Sequence, residues 1–95
     1  MEENRSINNQ SEGMYFSTST VVKKTGVTLR QLYYWERSGI IQPKFEQFGL
    51  RMYRRYEVSD VELISNIIKY LKEGYQLQTA AQKAKNEFQM KLFEQ

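Results

Sequence analysis

The spacing of apolar positions changes along the chain, and each change marks an element. As far as residue 13 the chain is polar, with Ile7 its one sizeable apolar side chain after Met1. Such a segment buries too little surface to offset its chain entropy, so residues 1–13 read as a disordered tail. Order is expected to begin with a short extended stretch at Met14-Tyr15-Phe16-Ser17. A first helix is predicted from about Ser19 or Thr20 to Thr25, capped by Thr18 or Ser19. It turns Val21 and Val22 inward and leaves Lys23 and Lys24 in solvent. A glycine turn, Thr25-Gly26-Val27, leads to a second helix from about Leu29 to Ser38. Thr28 and Gln31 have the spacing of a capping box, Gly39 is placed to end the helix, and Pro43 keeps it from resuming. On a 3.6-residue period Leu32 and Trp35 share one side, with Leu29 at its margin. Arg30, Tyr33, Tyr34 and Arg37 share the other. One face can pack while the other stays free, and Trp35 reads as a core anchor.

From Lys44 to Tyr56 the period becomes two, as in paired strands, with Phe48-Gly49-Leu50 near the turn. Phe45 lies on the first strand and Tyr53 on the second. Alternation puts Arg51, Tyr53 and Arg55 on one face and Met52, Arg54 and Tyr56 on the other, with Tyr56 assigned to the core. An isolated hairpin is marginal, so it must lean on the helices, as a wing does. Helical spacing then returns. A third helix is predicted from about Asp60 to Glu73, begun by a Ser59–Glu62 capping box and ended by Gly74. Val61, Ile64, Ile67, Ile68 and Leu71 form its apolar stripe. A fourth, about Gln78 to Leu92, has an apolar face of Leu77, Ala81, Ala84 and Phe88. Met90, Leu92 and Phe93 extend that surface beyond the core. The fold class is therefore mostly α with a small β-hairpin wing, about four helices in one domain over residues 14–95.

Composition narrows the chemistry. The 95 residues include no cysteine and no histidine, which removes disulfides, thiolate or imidazole metal sites and the usual general base. No nucleophile–base pair, phosphate-cradling glycine loop or paired carboxylate site is present, so an enzyme is not expected. Glu36 and Glu57 read instead as partners for neighbouring arginines. No cofactor is implied, no apolar run is long enough to span a membrane, and a cytoplasmic, nucleoid-associated location is expected. The net charge of +3 hides an uneven distribution. Residues 20–56 hold eight cations against two acids, a balance of +6, while the segments on either side are slightly acidic. A positive field confined to one segment suggests a polyanionic partner.

In this order the pieces closely resemble the N-terminal winged-helix domain of the MerR family of bacterial transcription regulators. The matching stretches are Phe16-Ser17-Thr18, Val21 to Thr28, Leu32, Tyr34-Trp35-Glu36-Arg37, Gly39-Ile40-Ile41 and Pro43. Arg54-Arg55-Tyr56, Asp60-Val61 and Gly74-Tyr75-Gln76-Leu77 follow, so the likeness covers about residues 15–92. It implies sequence-specific binding of double-stranded DNA, with the second helix in the major groove and the wing on the flanking backbone. Arg30 and Gln31 would then face bases, and Tyr34 and Arg37 phosphates. Arg51, Arg54 or Arg55 would reach phosphate or the adjacent minor groove, and Lys24, Thr28 and Tyr33 complete the candidate set. Because Arg54 and Arg55 point oppositely, one is expected to contact DNA and the other to pack or pair, with Glu36 as its candidate partner.

Two departures limit what carries over. Many members have arginine where this chain has Tyr33. Full-length members continue into a long coiled-coil helix and an effector domain, whereas this chain stops first, so no small-molecule effector is implied. The chain then reads either as a stand-alone regulator, self-associating through its C-terminal helix or wing, or as a truncated domain of a longer protein. Two other uses suit the same residues. One is an excisionase-like or chromosome-organising architectural protein. The other, of a different class, is a protein-interaction module built on the third helix with Leu92 and Phe93.

Overall fold

The computed structural model describes residues 14–93, and side chains as far as Met90. The expected tail over residues 1–13 and the side chains of Leu92 and Phe93 lie outside the described residues. In chain order the elements are β1 (Tyr15–Phe16), α1 (Thr18–Thr25), α2 (Leu29–Arg37), β2 (Lys44–Phe48), β3 (Arg51–Glu57), α3 (Val58–Lys72) and α4 (Leu77–Phe93). Among the described residues the fold is thus four helices and one antiparallel sheet of order β1-β3-β2, a winged helix-turn-helix.

The short extended stretch does more than lead into the fold. β1 pairs with the far end of β3, Tyr15 opposite Glu57 and Phe16 opposite Tyr56, so the wing is anchored at its base by a third strand. That pairing also moves both neighbouring helix starts from where the sequence placed them. It holds the chain extended through Ser17, whose Oγ accepts from the Thr20 N–H at 3.3 Å, so Ser17 rather than Thr18 or Ser19 caps α1. It likewise carries β3 to Glu57, and α3 begins at once with Val58. The expected Ser59–Glu62 box does not form. Instead the Asp60 carboxylate accepts from the Glu57 N–H at 2.8 Å, so the box sits two residues upstream. Burial raises the pKa of Asp60, an effect the Glu57 N–H partly offsets.

The helix-turn-helix is set by local hydrogen bonds. The Thr25 hydroxyl donates to the Val21 carbonyl at 2.8 Å and accepts from the Val27 N–H at 3.1 Å, which closes the turn over buried Val27. At Thr28 the capping box forms as the spacing predicts: Oγ1 accepts from the Gln31 N–H and Gln31 Oε1 accepts from the Thr28 N–H, each at 3.0 Å. At the other end of α2, Gly39 at φ 83° donates to the Glu36 carbonyl and Ile40 donates to that of Trp35. This is a Schellman ending, and the left-handed backbone it needs is cheap only for glycine.

The core lies where α1, α2, α3, α4 and the base of the sheet meet. Val21, Leu32, Trp35, Tyr56, Ile64, Ile67, Ala80 and Ala84 are buried in one cluster. Ala80, Ala81 and Ala84 let α4 approach α3 closely, and of these Ala80 was not anticipated. Among the described residues the buried Tyr56 hydroxyl lies near the Thr18 side chain but forms no hydrogen bond of good geometry; burial raises its pKa, and Thr18 partly offsets the rise. A buried hydroxyl without a partner costs stability, so Tyr56→Phe is expected to be neutral or to stabilise by up to about 1 kcal/mol. Denaturant melts of the two proteins check this. A loss of more than about 1 kcal/mol would mean that the hydroxyl has a partner after all.

Candidate nucleic-acid interface

The free face of α2 carries the side chains that the sequence placed there. Leu32 and Trp35 are buried, while Arg30, Tyr33, Tyr34 and Arg37 are exposed on the opposite side. No neighbouring element makes an extensive backbone approach to α2. Its hold on the domain comes from its two core side chains, its tied ends and a wing contact at Glu36 and Tyr33, and the rest of its outer surface is left open.

The cations divide into two groups. Arg54 Nε donates to Glu36 Oε1 at 2.7 Å, and its guanidinium lies over the rings of Tyr33 (4.8 Å) and Phe45 (5.4 Å). The pair is partly buried, and the hydrogen bond to Glu36 raises the Arg54 pKa further. Arg54 therefore ties β3 to α2, and a cleft lined by Tyr33, Glu36, Arg37 and Arg54 runs between wing and helix. Tyr33, the atypical position, forms one wall of that arginine's site. On the other face of the sheet, Arg55 pairs with Glu46 at 2.6 Å and stacks on Tyr15 at 3.6 Å. Lys44 pairs with Glu57 at 2.9 Å, so the acid expected to meet an arginine meets a lysine across the strands. Arg54 and Arg55 do point oppositely, and both are engaged by carboxylates.

Within residues 20–56 a second group makes no ion pair among the described residues: Lys23 and Lys24 at the end of α1, Arg30 and Arg37 on α2, and Arg51 at the tip end of β3. Lys24 rests over the Phe16 ring at 5.5 Å and Arg37 beside Tyr34 at 5.9 Å. These stems are braced, yet the charges stay in solvent. Thr28 and Gln31 differ, because the capping box occupies the Thr28 hydroxyl and Gln31 Oε1. The Nε2 group of Gln31 remains to donate to an acceptor.

Three contributors were not singled out by the sequence. Tyr15 and Glu46 hold Arg55, and Phe45 backs Arg54. The signal was available in the hairpin register. A two-residue turn at Gly49-Leu50 puts Phe48 opposite Arg51, and counting back puts Phe45 opposite Arg54.

Among the described residues no group of His, Cys, Asp or Glu is arranged to hold a metal, and no helix is long and apolar enough to cross a membrane. A family model, the MerR HTH family regulatory protein, matches residues 16–87. The chain belongs to that family, whose helix-turn-helix domains are DNA-binding regulators of transcription and of a non-enzymatic kind. No curated protein matches the chain significantly.

Proposed function

We propose that the chain reads specific double-stranded DNA with α2 in the major groove while the wing lies on the flanking backbone. One observation carries this reading. Of the exposed cations of residues 20–56 without an acidic partner among the described residues, Arg30 and Arg37 sit on the open face of α2, and Lys24 and Arg51 on the elements beside it. A helix fits the major groove, and an arginine fork suits the O6 and N7 of guanine. Within this reading Arg30 faces a base, Gln31 contributes its amide donor, and Arg37 and Tyr34 meet phosphate. Arg51 does the same from the wing. Residues 14–95 act as one DNA-binding unit.

Selection of bound duplexes from a random library defines the site. An inverted repeat marks a two-fold pair and a direct repeat marks head-to-tail neighbours. On the selected duplex, Arg30→Ala is expected to weaken binding by about 1–3 kcal/mol and to relax preference at about one base pair. A gel-shift titration against single-base variants reads both effects. Unchanged affinity together with an unchanged preference profile would remove Arg30 from the interface.

A further inference from the structure

The tip of the wing is apolar where a hairpin turn in solvent is ordinarily polar. Leu50 is 100% exposed, Phe48 59% and Met52 58%, and they surround a two-residue turn. Single exposed apolar residues need no explanation, but three together at the end of a projecting ribbon do. The tip is also held in shape. Gln47 Nε2 donates to the Gly49 carbonyl at 3.0 Å, and Phe48 packs edge-on against Tyr53 with ring centroids 5.7 Å apart. Gly49 at φ 61° takes the first turn position, as in a type II′ hairpin. Leu50 is thus presented on a rigid support next to Arg51, the wing cation without an acidic partner among the described residues.

We propose that the wing tip is an apolar wedge, with Leu50 entering the minor groove beside the α2 site and partly unstacking a base step while Arg51 meets the adjoining phosphate. This rests on the reading that α2 lies in the major groove. Reach supports it. Leu50 lies four positions before Arg54, which grips α2, and extended chain covers that span in about 13 Å. With the radius of the helix included, the tip can reach about 18 Å from the α2 axis. Half a turn of B-DNA, the step from a major groove to the next minor groove, is about 17 Å. Charge and continuity select DNA as the occupant over a protein partner: the tip extends from the wing that Arg54 ties to the cationic α2 face, and Arg51 adjoins it. Leucine, methionine and phenylalanine are side chains that proteins use to pry base steps apart.

The test uses the full chain and a duplex that it selects from a random library. Bend is read by energy transfer between the duplex ends at saturating protein, and unstacking by 2-aminopurine placed at successive steps on the wing side. Wild type is expected to bend the duplex by about 20–90° and to brighten the probe at one step. Leu50→Ala removes no packing in the free protein, and it is expected to lose most of the bend and the brightening. Arg30→Ala is expected to need more protein for saturation and then to keep both. Equal bends with wild type and Leu50→Ala, or no bend with either, overturn the wedge and leave the role of α2 standing. A dimer without DNA that Leu50→Ala dissolves, seen by light scattering, assigns the tip to a second copy and overturns it as well. If wild type retains no duplex, the wedge falls together with the reading beneath it.

Discussion

Trp35→Ala is expected to lower the unfolding free energy by about 3–5 kcal/mol, a large part of what a domain of this size possesses. The indole is one of the largest fully buried side chains, and it lies in the cluster shared with Leu32, Tyr56, Ile64 and Ile67. The residue also serves through its backbone. Its carbonyl accepts from the N–H groups of Ile40 and Ile41 at 2.8 and 3.3 Å and from the Ser38 hydroxyl at 3.2 Å. Removing the ring therefore leaves a cavity directly beneath the point where α2 ends. A melting temperature lower by roughly 15–30 °C should accompany the loss. DNA binding should fail through unfolding, while Trp35→Phe should retain part of both. A change below about 1 kcal/mol would show that the ring is not a main support of the fold.

The second large effect is electrostatic. Arg37→Ala combined with Arg51→Ala is expected to flatten the log–log dependence of DNA affinity on salt by about 2, at roughly 0.9 for each phosphate that is no longer neutralised. A fourfold rise in salt should then cost the variant about tenfold less affinity than it costs wild type. Arg55→Ala is the informative comparison. Its guanidinium is already balanced by Glu46, so it has fewer counterions to release and should change the slope less. Fluorescence anisotropy across a salt series measures all three. An unchanged slope in the double variant would place phosphate elsewhere on the surface.

Much of the scaffold was legible because local rules and global packing agree. The Thr28–Gln31 box, the Gly39 ending and the inward pair Leu32 and Trp35 follow from short-range spacing, and packing ratifies them. The errors cluster where a non-local pairing chose among competent local signals. Ser17, Thr18 and Ser19 can each cap a helix, and the pairing of β1 with β3 selected the first. Ser59 with Glu62 matches the capping-box residues and Glu57 with Asp60 only their spacing, yet the length of β3 decided for the second. The site shows a similar limit. Charge counting found the basic segment, but it could not tell that Arg54, Arg55 and Lys44 are matched by Glu36, Glu46 and Glu57 while Arg51 is not. Pairing across strands depends on register, and register rests on the type of one turn.

On the proposed binding mode, the bond between Glu36 and Arg54 has a consequence for the DNA rather than for the protein. It locks the wing to α2 through a partly buried, charge-assisted interaction flanked by Tyr33 and Phe45. If both lie on DNA as proposed, two elements joined in this way behave as a caliper set to one opening. One inserted base pair between the sequences under α2 and under the wing would move the second by about 3.4 Å along the axis. It would also turn it by roughly 35° around the duplex. A flexible wing could follow that shift, and a clamped one cannot. On the proposed binding mode the spacing between the two halves of a target is therefore itself expected to be read.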